Sequence, residues 1–216
     1  MADQAFVFMG GTFDPVHVGH LRTALELKQL LDVNEVRLIP SKVPVHREEP
    51  NCSSEQRLAM LKLAVADEPA LVADAREILS TQPSYTLLTL QGIRNEIGDE
   101  QPICMVMGMD AYLSLPSWHK WERFLDLCHL VVVTRPGYAM PESSPMYTYT
   151  LQNRVSCSSE LFQTAAGKVL LQELTPLAIS ATQIRQEIAR GFSPRYLLPD
   201  GVWQYIQENN LYGLTN

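Results

Sequence analysis

The sequence predicts an α/β fold: a doubly wound, mainly parallel sheet with a helical part late in the chain. Three observations predict it. The chain opens with a strand, a glycine-rich loop and a helix, and a second strand follows at once. Residues 103–107 (ICMVM) and 130–134 (LVVVT) are continuous apolar runs, the mark of central parallel strands covered on both faces. Strand-like and helix-like segments alternate along most of the chain, as they do in βαβ units.

Each element has its own justification. Residues 5–9 (AFVFM) form an apolar strand that stops at Gly10-Gly11, before a turn-like Asp14-Pro15. Over residues 17–31, Leu21, Ala24, Leu25, Leu27, Leu30 and Leu31 recur at helical spacing. Residues 35–39 (EVRLI) are a strand ended by Pro40. Residues 54–66 read as a helix, and Ser53 with Gln56 can form a capping box at its start. Residues 71–79 read as one or two short strands, and 85–97 as a helix. Residues 121–128 are expected to be helical, 169–174 a strand, and 182–189 and 201–209 late helices. Residues 136–159 hold Pro136, Gly137, Pro141, Pro145 and many Ser and Thr. They are expected to be a long loop inside one domain spanning 1–216.

Composition narrows the function. With 216 residues, 46% of them hydrophobic and 19% charged, the chain can bury a sizeable core. Seventeen Lys and Arg against 24 Asp and Glu give a net charge of -7. That excludes a generic binder of nucleic acid or anionic membrane, whose footprint is a basic excess. It leaves a small anionic ligand open, because such a ligand samples one local site. Cys52, Cys104, Cys128 and Cys157 form no CxxC or zinc-type pair, which suits free thiols in a reducing compartment. The first residues lack the charged and apolar regions of a secretory signal. No stretch approaches the roughly 20 apolar residues of a membrane helix. A cytoplasmic protein with no nucleic-acid or membrane partner is expected.

Doubly wound sheets bind ligands beyond the carboxyl ends of their strands, near the switch in strand order. The loop after the first strand, residues 10–20 (GGTFDPVHVGH), therefore holds most interest. It has neither the Gly-Lys-Ser/Thr of a Walker A loop nor the spacing of the dinucleotide fingerprint. Its parts suit phosphate. Gly10 and Gly11 let backbone N–H groups come close to an anion. A helix beginning near His17 offers free N–H groups and a positive dipole end. His17 and His20 lie three apart, so they share one face and can reach one phosphate, and Gly19 removes a side chain beside them. Two solvated imidazoles or a metal pair are the alternatives. A metal needs a third ligand, and only Asp14 is near in sequence. Later, Ser180 and Thr182 of residues 179–185 (ISATQIR) open another helix, with Arg185 able to reach back to its start. Taken alone, this segment reads as an ordinary capped amphipathic helix.

Together the two segments resemble signatures of the HxGH nucleotidyltransferase superfamily: GTFDPxHxGH at Gly11–His20 and ISxTxIR at Ile179–Arg185. The superfamily has a Rossmann-like fold similar to class I aminoacyl-tRNA synthetases. Over nearly the whole chain, the sequence is most similar to the bacterial nicotinate-nucleotide adenylyltransferase family. The resemblance implies transfer of AMP from ATP to nicotinate mononucleotide by direct attack, releasing pyrophosphate, in NAD biosynthesis. It implies catalytic roles for His17, His20 and Arg185. It implies ATP contacts from Gly10, Gly11, Thr12, Phe13, Gly19, Gly108, Asp110, Ile179, Ser180 and Thr182. Mg²⁺ would be a cofactor held mainly by the ATP phosphates, with no metal site on the protein.

Further segments carry the likeness toward the acceptor. Pro40–Arg47 (PSKVPVHR) resembles a phosphate-contacting loop, implicating Lys42, His46 and Arg47. Pro83–Thr86 (PSYT) implicates Thr86 at the nicotinate carboxylate, and Tyr85 in binding the acceptor. Gly108-Met109-Asp110 implies a ribose contact. Trp118–Trp121 (WHKW) implies a stack on the pyridine ring, Trp118 before Trp121, and Arg135-Pro136-Gly137 matches the family's R-P-G. Each also has an ordinary structural reading, such as a helix cap for Ser84 or Asp110 and a core anchor for either Trp. Ala181 stands where the family often has Ser. Alternative readings are an enzyme preferring nicotinamide mononucleotide or another phosphorylated acceptor, and a nucleotide-binding regulator without turnover. Monomer and oligomer are both open.

Overall fold

The computed structural model describes residues 5–42, 50–135, 137–138, 140–175 and 177–214. It begins with β1 (Phe6–Gly11), α1 (Val18–Leu31) and β2 (Val36–Pro40). β1 and β2 pair in parallel, Phe8 opposite Arg37 and Gly11 opposite Pro40, so the opening is a βαβ unit. Next come α2 (Ser54–Val65), β3 (Leu71–Ala73), α3 (Arg76–Leu79), α4 (Thr86–Ile97), β4 (Ile103–Gly108) and α5 (Met109–Leu113). The chain continues through β5 (His129–Thr134), α6 (Pro145–Asn153), β6 (Arg154–Val155), α7 (Ser158–Leu161) and β7 (Val169–Glu173). It then runs into α8 (Ala181–Ala189) and α9 (Asp200–Glu208).

The strands form a seven-stranded sheet in the order β3-β2-β1-β4-β5-β7-β6. Every pairing among the described residues is parallel. The period of two along a strand sorts the core into two layers. On β1, Val7 and Met9 face the layer that holds Leu27 of α1, Met60 of α2, Ile184 of α8 and Ile206 of α9. Phe6 and Phe8 face the other, with Leu90 of α4, Tyr112 of α5 and Met146 of α6. Helices thus cover both faces, which is why β4 and β5 read as unbroken apolar runs. The strand order turns between β1 and β4, and the crevice of such a sheet opens beyond that point.

The capping box at α2 is present: Gln56 N–H donates to Ser53 Oγ at 3.2 Å, and Ser53 N–H donates to Gln56 Oε1 at 2.9 Å. Three expectations need correction. Residues 71–79 are a strand only to Ala73. The Asp74 carboxylate accepts the Arg76 N–H at 3.0 Å, and that local turn starts α3. Residues 121–128 hold a 3₁₀ turn, Trp121–Asp126, not an α-helix. Its three-residue repeat puts half-buried Trp121 and fully buried Phe124 on one side. The stretch 136–159 is no plain loop, since it carries α6, β6 and α7. Among the described residues no helix is long and apolar enough to cross a membrane.

Candidate active site

β1 and β4 end in glycines at the switch point. A Cβ at Gly10 or at Gly108 would meet no other atom within 4 Å. Both therefore border open space, the floor of the crevice. Gly11 is different: a Cβ there would lie 2.9 Å from Cζ of Phe13. Phe13 itself is buried and has a left-handed backbone, φ 50°, a rare conformation for a bulky residue that clusters at functional sites. Its ring meets His20 edge-on at 5.0 Å.

His17 is the N-cap of α1, and His20 is the third residue of the helix. Their rings stack at 3.6 Å. The His17 backbone N–H donates to His20 Nδ1 at 3.3 Å. An accepting Nδ1 places the proton of neutral His20 on Nε2, leaving that N–H as a donor. Burial takes the His17 pKa down to about 4. Burial, with His17 as a charged neighbour, takes His20 down to about 3. Both imidazoles are thus neutral at pH 7. His17 Nδ1 is buried with no hydrogen-bond partner, a polar atom awaiting one. Gly19 leaves room beside it, because a Cβ there would sit a tight 3.0 Å from that nitrogen and 3.6 Å from Cβ of Ile179.

Ile179 therefore lies against the histidine turn, and the late segment completes the crevice. Ser180 is the N-cap of α8, but its side chain makes no cap bond. The first N–H groups of α8 have no side-chain acceptor there, and the exposed Thr182 sits among them. Arg185 Nη1 donates to the main-chain carbonyl of Asp14 at 2.7 Å, and Nη2 donates to Thr182 Oγ1 at 3.4 Å. The start of α8 is so tied to the loop after β1 across 171 positions. Asp14 is itself buried. It accepts from Tyr212 Oη on Oδ1 and from Asn51 N–H on Oδ2, each at 2.8 Å.

Beneath these loops lies Arg57 of α2, with no exposed surface. Nη1 donates to Thr12 O at 2.6 Å, and Nη2 to Ser41 O at 2.7 Å and Lys42 O at 2.8 Å. One guanidinium therefore fastens the loop after β1 to the loop after β2. The second loop reaches onward: Lys42 N–H donates to Ser84 Oγ at 3.0 Å, and Lys42 Nζ to Ser80 O at 2.6 Å. Ser84 thus holds a neighbouring loop and does not cap α4. Tyr85 is the N-cap of α4 and Thr86 its first residue. Tyr85 stacks on His119 at 4.5 Å, which joins the PSYT segment to the tryptophan segment. Trp118 meets Phe124 edge-on at 6.4 Å, and Trp121 meets Tyr149 of α6 edge-on at 5.2 Å. Both tryptophans are half-buried and pack on the core. Asp110 is exposed in the first turn of α5, where Gly108 and not Asp110 is the N-cap. Arg135 is exposed in the turn after β5. His46 and Arg47 lie outside the described residues.

The cytidylyltransferase-like family model matches residues 8–187, which include both phosphate-type segments and the strands between them. A nicotinate-nucleotide adenylyltransferase of Aeromonas salmonicida is 45% identical over 204 residues, covering 94% of this chain and 95% of that protein. The chain belongs to the nicotinate-nucleotide adenylyltransferase family. A second member, from Hahella chejuensis, is 46% identical over 97% of this chain and 96% of its own. The nicotinic acid mononucleotide adenylyltransferase of Plasmodium falciparum, complexed with NaAD, shares the fold. It has a TM-score of 0.71 at 16% identity over 98% of each chain. Within this adenylyltransferase, sequence reasoning missed four residues that build the crevice: Asp14 as a node, Arg57, Tyr212 and His119. Only Asp14 and His119 stood inside segments already singled out. No local spacing marks Arg57 or Tyr212, because their partners lie far along the chain.

Proposed function

We propose that the chain transfers AMP from ATP to nicotinate mononucleotide, releasing pyrophosphate. The observation that carries this reading is the bond from Arg185 to the Asp14 carbonyl. It sets the glycine loop, the histidine pair and the start of α8 around one crevice at the switch point. An acceptor phosphate oxygen attacks the α-phosphorus of ATP, and the bond from that phosphorus to the β-bridging oxygen breaks. The attacking phosphate is already an anion at neutral pH, so no general base is required. Catalysis rests on alignment and on stabilising charge. His17 and His20, as neutral donors, meet the α-phosphate. The α8 N–H groups, Thr182 and Arg185 hold the departing phosphates.

Mg²⁺ suits this site as a companion of ATP. It would be held mainly by the ATP phosphates and would ask little of the protein. Asp14 is unsuited to hold it, since Tyr212 and Asn51 already engage its carboxylate oxygens. The ion would neutralise phosphate charge on ATP.

The family names of the relatives support the acid form of the acceptor. On this reading Lys42, tied to Ser84, and Tyr85, stacked on His119, belong to the acceptor side of the site. The same reading places the enzyme in the cytoplasm, where its free cysteines stay reduced. The test is pyrophosphate release with ATP and Mg²⁺, offering nicotinate mononucleotide, nicotinamide mononucleotide and phosphopantetheine in turn. Turnover should be fastest with the first. Higher kcat/KM with either of the others would replace the acceptor, and no release with any acceptor would favour a binding regulator.

A further inference from the structure

Tyr212 lies 198 positions from the residue it touches, in the turn Leu211–Gly213 that follows α9. Its backbone is left-handed, φ 61° and ψ 29°, which a residue with a side chain adopts only when its surroundings enforce it. Leu211 beside it is buried in the core. Its hydroxyl donates to Asp14 Oδ1 at 2.8 Å, and the Asn51 N–H serves Oδ2 at 2.8 Å. Arg185 stands over the same residue. It bonds the Asp14 carbonyl at 2.7 Å, yet its Nη1 is 4.0 Å from Oδ2. The ion pair between Arg185 and Asp14 is therefore a long one, while shorter donors engage both carboxylate oxygens. Tyr212, Arg185, Thr182 and Asn51 line one open polar groove along α8.

We propose that Tyr212 is a positioning residue for ATP: by giving the Asp14 carboxylate a donor, it keeps Arg185 on the Asp14 carbonyl and off the carboxylate, so that the guanidinium's remaining N–H groups can serve the phosphates. Without the hydroxyl, Oδ1 would lose a short donor inside the protein, and Arg185, with Nη1 already 4.0 Å from Oδ2, is a cation placed to answer it. A closed Arg185–Asp14 pair would engage N–H groups that the phosphates would otherwise use. Burial and the nearby Asp14 charge push the Tyr212 phenol pKa upward, so it remains a donor throughout the neutral range. The proposal rests on reading the crevice as the ATP site.

The experiment compares the full chain with Tyr212→Phe, measuring binding of a non-hydrolysable ATP analogue by calorimetry and KM for nicotinate mononucleotide. A hydrogen bond to a charged group sets the expected loss of analogue affinity at about tenfold or more, with acceptor KM unchanged. Adding Tyr212→Phe to Arg185→Ala should cost nothing further, since Tyr212 acts through Arg185. Adding Asp14→Asn to Tyr212→Phe should recover much of the affinity by removing the charge that draws Arg185 away. Equal loss for both substrates, or a full additional loss in the Arg185→Ala background, would overturn the proposal alone. Failure of the unmodified chain to bind the analogue would overturn the adenylyltransferase reading and this proposal with it.

Discussion

His20→Ala should lower kcat by about 10²–10³ while leaving the KM for ATP nearly unchanged, the pattern of a donor whose worth appears in the transition state. The local structure argues for this split. His20 Nδ1 is occupied as acceptor for the His17 N–H, which leaves Nε2–H as the group it can offer a ligand. Phe13 and His17 hold the ring on two sides, at 5.0 Å and 3.6 Å between centroids. Such a donor costs little reorganisation when charge grows on the α-phosphate. A ring held this way is a poor general source of ground-state affinity, because it adds one neutral hydrogen bond to a ligand with several anionic groups. Steady-state kinetics on the variant decides the matter, with circular dichroism to confirm its fold. A kcat within a few-fold of the unmodified enzyme would remove His20 from the chemistry.

The second large effect is on stability. Arg57→Ala should cost about 3–5 kcal/mol, as expected when one partner of a buried charged network is removed. Three carbonyls, those of Thr12, Ser41 and Lys42, lose their donor together. Each buried acceptor left unmet costs about 1–3 kcal/mol, and water entering the vacated space offsets part of the sum. At this chain length the midpoint of thermal unfolding should fall by roughly 10 °C. Arg57→Lys keeps the charge but loses the fork that reaches both loops, so it should fall between the two. Calorimetry checks the order. An Arg57→Ala midpoint within a degree or two of the parent would show that the guanidinium does not fasten these loops.

Much of the fold was legible because periodicity and burial agree. The runs at β4 and β5 are apolar throughout, since helices cover both faces of the sheet. The first loop stood out in the sequence as a candidate phosphate site because glycines, a helix start and two histidines are packed into eleven residues. Helix α6 was not. Its Tyr and Thr residues favour strands, and only Met146 and Thr150, one turn apart, are buried. A local signal was present all the same: Ser144 before Pro145 is a cap followed by proline at the first helical position. The 3₁₀ turn at Trp121 shows a different limit. The same apolar spacing of three serves either helix, and the choice depends on how Phe124 must pack.

The site was legible in its motifs and not in its framework. Gly19 lies against His17 and Ile179, and Arg185 reaches the Asp14 carbonyl of the same loop. Ser180 was expected to cap its helix, yet its hydroxyl makes no such bond. The framework residues Arg57 and Tyr212 act over separations of 45 and 198 positions. Such pairs are settled only when the chain closes on itself. No spacing rule reaches them.

The central claim is that both motifs act on one ATP, with the acceptor phosphate attacking its α-phosphorus directly. The most direct measurement is the stereochemical course with ATP made chiral by sulfur at the α-phosphorus and nicotinate mononucleotide as acceptor. One direct displacement predicts inversion at phosphorus in the dinucleotide product. Retention would mean two displacements and a covalent enzyme intermediate, and would contradict the account.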